Sequence, residues 1–518
     1  MADDKSFEMT VVEERPVQEA NLEHQMDRDS GNRSEQKGFL DRYINPSAII
    51  NFGFTLQAAW EASGVSFQFS LLNGGPASLV YGSIFAGVGS TMIAISLAEM
   101  ASIDPVVGAQ YRWSAAFAPS HPAFWGLFQG WMSVFAWITA TAASPAYLAN
   151  VVQGLLIFNY ESYEPQRWHG TLIMWAFVIV PVLCNFWFRK LLNTLEMIGG
   201  ICHFVFLVIS VITLGVLARR STADFVFNTL THDLSGWTNP AIAWSIGLLT
   251  VTFPITAFDG VLHMSDEVKG PKTRVPQSMI TAVTLNSVMQ FAFMVCLMFC
   301  IGDIDLVSTS PTGLPIIEVY YQATKSKHAT NILVVMMAFI LFISLFNIFA
   351  SVSRLTWAFA RDNGLPFSNV FSYVHPTLKI PLYSLGLVGV VCCLLAIINI
   401  GSSTAFNALI SLPLISLYIS YLIPIVFLLW RKVRGRHPIY GPFKLGRYGI
   451  PINLFATVYI LYILSFVPLP TIKPVTAVNM NYAGPLVLAV IVIAILDWTF
   501  SGRYRFHVPV PRATKGDF

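Results

Sequence analysis

The sequence predicts an all-α polytopic membrane protein, on three observations. Only 11% of its 518 residues are charged and 55% are hydrophobic, whereas about a quarter of a soluble domain is charged. Apolar runs of about 20 residues, the length at which a helix crosses a bilayer, recur along nearly the whole chain. Mean hydropathy is +0.61, which calls for many spans rather than one anchor.

Twelve transmembrane helices are expected, near 48–72, 76–101, 122–152, 170–189, 194–217, 241–265, 277–301, 330–353, 381–400, 404–430, 450–468 and 482–500. An even number puts both termini on one side. With that side cytoplasmic, 25 of the 31 Lys and Arg residues lie inside, and the cytoplasmic loops alone hold 15 against 6 outside. The positive-inside rule then predicts cytoplasmic termini. Residues 1–45 are polar and acidic-rich (Glu13-Glu14, Asp27-Arg28-Asp29) and are expected to form a disordered cytoplasmic tail. Residues 46–502 form the transmembrane domain and 503–518 a second cytoplasmic tail. The first tail has no apolar signal-peptide core, so the first span is expected to act as the targeting signal.

Spans one and six break the pattern. The first carries Trp60-Glu61-Ala62-Ser63-Gly64, and the sixth Phe253-Pro254-Ile255-Thr256-Ala257-Phe258-Asp259-Gly260, with His263 one turn on. Proline removes a helix hydrogen bond and glycine tolerates the dihedrals that follow. Interruptions five spans apart point to a five-plus-five inverted-repeat transporter with broken helices 1 and 6 and a site near the midplane. The amides freed around Ser63-Gly64-Val65 suit an anion, and the carbonyls freed between Phe253 and Phe258 suit a cation. A zwitterion fits both.

Charged side chains inside the bilayer are costly and mark function. The expected substrate-binding residues are Trp60, Glu61, Ser63, Gly64, Phe253, Thr256, Phe258 and Asp259. Glu61, Asp259 and His263 are the candidates for carrying a proton. Against this stands the plainer possibility that each acid caps a helix end or pairs with a neighbour. Trp137 and Tyr147 are further candidates to wall a pocket. His203 in span five has less context and stays outside the expected site. Glu99, followed by Gln110 and Arg112, is expected to be structural or gating.

Other chemistry is missing. Gly-Lys never occurs, which removes the Walker A loop. The six cysteines all lie in apolar segments and suggest packing rather than disulfides or a metal site. No cofactor, metal or nucleic-acid partner is expected; the expected partners are a small-molecule substrate, protons and membrane lipid.

Several blocks in order carry a resemblance. They are Trp60-Glu61-Ala62, Leu72-Asn73-Gly74-Gly75-Pro76, Ser96-Leu97-Ala98-Glu99-Met100 running on to Gly108-Ala109-Gln110-Tyr111-Arg112-Trp113, His263-Met264-Ser265-Asp266-Glu267-Val268, Phe359-Ala360-Arg361-Asp362-Asn363-Gly364-Leu365-Pro366, Gly441-Pro442-Phe443 and Asn479-Met480-Asn481-Tyr482. In these the chain resembles the amino acid–polyamine–organocation superfamily, and within it the fungal amino acid/choline permeases that include GABA and choline transporters. The resemblance spans about residues 40–505. It implies the five-plus-five fold and proton-driven uptake of amino acids or small amines at the plasma membrane, with no enzymatic activity. Phe258-Asp259-Gly260 matches no single substrate subclass. The expected function is a proton symporter for an amino acid or an amine such as GABA. Choline is the first rival, with Trp60, Phe258 and Glu61 as a cage for its ammonium. A nutrient-sensing transceptor is the rival of another class, disfavoured by the short tails.

Overall fold

The computed structural model describes residues 40, 42–187, 192–401, 403–477 and 479–508. The described residues hold helices and no strand; an isolated bridge pairs Ile44 with Val268. Ten helices are long and apolar enough to cross a membrane. They are α3 (Gly75–Ile103), α5 (Pro122–Asn159), α6 (Arg167–Trp187), α7 (Leu192–Leu217), α9 (Pro271–Phe299), α11 (Lys327–Arg361), α12 (Leu382–Gly401), α13 (Ser403–Val433), α14 (Gly449–Phe466) and α15 (Ala483–Asp497). The expected spans one and six are interrupted. The first is α1 (Pro46–Gln57) followed by α2 (Ala59–Ser66). The sixth is the shorter apolar helix α8 (Pro240–Thr252), then a 3₁₀ stretch, Phe258–Glu267. Two further short helices are α4 (Ala109–Phe117) and α10 (Pro315–Thr324).

The expected boundaries hold within a few residues at most ends. The largest miss is at the end of the eighth span, where α11 continues from 353 to Arg361. Residues 1–39 of the expected tail lie outside the described residues, whereas Leu40 and Ile44 are buried. The amide of Ile44 donates to the Glu267 carbonyl (3.1 Å). At the other end, α15 runs on through a π-turn to Arg505, which forms an ion pair with Asp497 (2.7 Å). Residues 509–518 lie outside the described set.

The helices pack around a large apolar core that also buries many polar side chains, and they expose apolar residues on the outside of the bundle. On α7, Glu196, His203 and Ser210 recur every seven residues, so they share one face, and all three are buried. Its apolar Ile201, Phe204 and Ile212 are exposed. Within the bundle α3 lies along α9, α5 along α11 and α13, and α6 along α12, while α1 packs between α9 and α7.

One end of the bundle is tied by buried ion pairs. Arg354 of α11 pairs with Glu267 (2.8 Å). Tyr111 of α4 donates to Asp362 (2.6 Å), which also receives Arg361 (3.2 Å). Glu99 of α3 receives Lys432 of α13 on one oxygen and the Leu445 amide on the other (2.9 Å). Breaking a buried pair strands a charge and costs about 3–5 kcal/mol, whereas replacing both partners with apolar residues is often nearly neutral. Glu99→Gln or Lys432→Met alone should therefore lower surface abundance and thermal stability in detergent. The Glu99→Leu/Lys432→Met double variant should recover the greater part of both.

Candidate functional site

Each interruption turns on an alanine in the left-handed region: Ala58 at φ 41°, ψ 47° and Ala257 at φ 64°, ψ 10°. Such a conformation costs a non-glycine residue on the order of 1–3 kcal/mol and persists only when its surroundings impose it. Those surroundings are side chains that take over the freed carbonyls. Asn286 of α9 donates Nδ2 to the Phe54 carbonyl (3.0 Å), and Ser344 of α11 donates to that of Leu56. Gln57 donates Nε2 across to the Thr256 carbonyl (3.2 Å), tying one break to the other.

The first break was expected at Ser63-Gly64-Val65, and the structure corrects this. Those residues sit inside α2, and the chain turns five residues earlier, at Ala58. Gly64 serves packing: a Cβ there would lie 2.8 Å from Met337 Cε and 2.9 Å from Phe293 Cε1. Ser63 donates to Gln290 Oε1 (2.8 Å). The amides that precede the first helical bond of α2 are those of Ala59 to Glu61, and the N-cap residue Ala58 has no side chain to cap them.

A cavity of about 60 Å³ lies between the breaks. At roughly 10–15 Å³ per water-sized site, it has room for about four to six such sites. Gln57, Trp137, Tyr147, Phe253, Thr256 and Ser344 are among its lining residues, and no carboxylate is. Tyr147 and Phe253 stack across it, centroids 6.1 Å apart at 12°. Of the expected substrate-binding residues, only Phe253 and Thr256 face this space; Ala62, not Glu61, is the α2 residue that does. Trp60 is turned the other way, donating to the His203 carbonyl (3.2 Å) and packing on Phe293. Phe258 stacks on Tyr421 at 5.4 Å.

Glu61 is fully buried, with Oε1 2.7 Å from His203 Nδ1 and Oε2 without a partner. His203 Nε2 lies 3.1 Å from Asn286 Oδ1. The orientation of that amide is fixed, because its Nδ2 faces the carbonyls of Phe54 and Ala282, both at 3.0 Å, and only a donor fits there. Oδ1 therefore needs a donor, and Nε2 must carry a hydrogen. The short Nδ1–Oε1 contact then requires one more proton, on the carboxylic acid or on the imidazole. In this geometry Glu61 and His203 share one proton. Sequence reasoning left His203 out; the signal that marks it is the seven-residue recurrence of Glu196, His203 and Ser210 on an otherwise apolar helix.

Asp259 is differently placed. Gln110 (2.8 Å) and Trp137 (3.0 Å) donate to Oδ2, and Tyr421 (2.5 Å) donates to Oδ1. These contacts join Asp259 to α4, α5 and α13. His263 lies 3.7 Å from Oδ2, too far for a hydrogen bond, and neither ring nitrogen has a partner. The structure does not bring Asp259 or His263 to Glu61. Among the described residues no cluster of His, Cys, Asp and Glu has the arrangement of a metal site.

Interrupted helices, buried ionisable side chains and a small cavity at the breaks, set among apolar helices, define an integral membrane transporter. The family model described as amino acid permease matches residues 50–495, and the chain belongs to that family. It is 31% identical to the choline transporter of Saccharomyces cerevisiae, over 89% of this chain and 81% of that one. It is also 31% identical to a Macrophomina phaseolina protein whose name proposes an amino acid/polyamine transporter, over 84% and 97%. To the GABA-specific permease of Saccharomyces cerevisiae the identity is 26%, over 92% and 85%.

The left-handed turn at Ala58 is open to test. Ala58→Gly should keep uptake and surface abundance near wild type. Ala58→Val, β-branched where φ is positive, should cut uptake about tenfold or more, read as labelled-substrate transport per surface molecule.

Proposed function

We propose that this chain is a secondary transporter, driven by protons, for an amino acid or an amino-acid-like amine such as GABA. The observation that carries this is the cavity between two helix breaks beside the buried Glu61–His203 pair. A substrate carboxylate would meet the uncapped first turn of α2, whose partial positive charge favours anions. An ammonium would meet the freed carbonyls at the second break and the faces of Trp137, Tyr147 and Phe253. Phe253 and Thr256, from the expected set, thus bind directly. Glu61 carries the coupling proton with His203. Trp60, Ser63 and Gly64 shape α2, Phe258 packs against Tyr421, and Asp259 anchors the second break with His263 beside it.

In this proposal twelve spans form a five-plus-five repeat, with α14 and α15 appended and 46–502 as the transport domain. Several packing pairs support this exchange of each span with the one five along. Spans two and seven, three and eight, and four and nine pair with their own counterparts. Span one packs on seven as six packs on two, and span five on eight as ten on three. Both termini face the cytoplasm, by the charge asymmetry, and the plasma membrane is the proposed location.

Choline remains a second proposal on one observation: aromatic faces line the cavity and no carboxylate does, a surround suited to a quaternary ammonium. The 31% identity to a choline transporter agrees with it.

The test is uptake into liposomes carrying the purified protein, with the lumen made alkaline, from a panel of labelled amino acids, GABA, polyamines and choline. The amino-acid proposal expects accumulation of an amino acid or GABA that collapses with a protonophore. Accumulation of choline alone selects the second proposal. Transport that ignores the protonophore and stops without sodium removes proton coupling. Glu61→Gln should mimic the protonated acid, retaining exchange of substrate across the bilayer while concentrative uptake is lost.

A further inference from the structure

An unbroken file of side-chain hydrogen bonds joins the cavity to the Glu61–His203 pair. Gln57 lines the cavity and donates Nε2 to the Thr256 carbonyl at the second break. Its Oε1 accepts from Asn286 Nδ2 (3.0 Å). Asn286 Oδ1 accepts from His203 Nε2, and His203 Nδ1 meets Glu61 Oε1. Five groups on five elements are thereby placed in register, and all four side chains are buried.

We propose that Gln57 and Asn286 form a relay through which occupancy of the cavity decides whether the Glu61–His203 pair keeps its proton. The proposal rests on the proton-driven transport set out above. While Asn286 holds its place, the pair cannot give up the bridging proton. A bare Nδ1 lone pair would then face a carboxylate at 2.7 Å. Moving the remaining hydrogen to Nδ1 would turn the Nε2 lone pair against the Asn286 oxygen. Release requires Asn286 to shift. Its amide nitrogen is held by two backbone carbonyls and by Gln57, and of these Gln57 is the one that lines the cavity. A substrate head group that takes up the Gln57 amide, or holds it against the break, changes the grip on Asn286. Linkage is reciprocal, so protonation must alter substrate affinity by the same factor.

The other ionisable groups near the pair belong to its own helices and to those packed on them. Glu196 lies two turns back on α7, with Thr55 donating to it (2.7 Å). Tyr320 of α10 donates to Ser210 (3.3 Å). Cys202 lies on α7, and Cys296 of α9 donates to the Val211 carbonyl. No hydrogen bond joins any of these to the Glu61–His203–Asn286–Gln57 file, so the relay is a separate path.

The experiment measures apparent KM for the transported substrate in proteoliposomes, between about pH 5 and 7.5, where histidine and shifted carboxylates titrate. Wild type, Asn286→Leu, Gln57→Met and Gln57→Asn are compared. Wild-type KM should change about fivefold or more across that range, the usual size of a coupling between sites. In each variant the profile should flatten to within about twofold, whatever the level of KM. A purely structural loss lowers the number of active molecules and leaves the slope intact, so any of the three keeping the wild-type slope overturns the relay. A flat wild-type profile would instead sink the proton-driven function on which the relay rests.

Discussion

Backbone amides and carbonyls inside a bilayer must find partners within the protein, because lipid offers none. In the ten uninterrupted helices the helix itself meets that demand. At Ala58 and Ala257 it cannot, and the structure of the interior follows from how the debt is met. Asn286, Ser344 and Gln57 reach the freed carbonyls from neighbouring elements. Asn286 also fixes the orientation of His203, while Gln57 and Ser344 line the cavity. Remove the interruptions and there is no reason for a polar file to run through the middle of an apolar bundle.

The ionisable groups divide into two kinds. Toward one end they are matched acid to base: Arg354 with Glu267, Lys432 with Glu99, Arg361 with Asp362 and Asp266. Such pairs register helices against one another and resist change of charge. Deeper in, around the breaks, acids meet neutral donors or an imidazole. Asp259 is saturated by three donors, while Glu61 has one partner and a spare oxygen. The number of donors separates the two acids.

The gross architecture was legible because hydropathy and span length are local properties. The existence of the two interruptions was legible too, from Pro254 and from acids in apolar runs. Their position was not. Ser63-Gly64 looked the weaker point of span one, yet Gly64 is small to admit Met337 and Phe293. The turn falls at an alanine because residues more than two hundred positions away donate to the freed carbonyls. Glu61 was legible as a buried acid, but its partner was not: His203 looked like an isolated histidine until the face it shares with Glu196 and Ser210 was seen. Asp259 was legible as an acid in an apolar span, and it is buried; only its three donors reveal how fully it is engaged.

The distance along the chain between Glu61 and its partner matters during synthesis. The two are 142 residues apart, and Asn286 follows His203 by another 83. At about 5–20 residues per second, Glu61 waits roughly 7–30 s for α7 to emerge. Through that interval an acid in an unfinished bundle has neither base nor amide to receive it. A chain stalled before α7 is thus marked chemically as incomplete by an unshared carboxyl in the membrane, a feature that quality-control machinery can read without recognising any sequence.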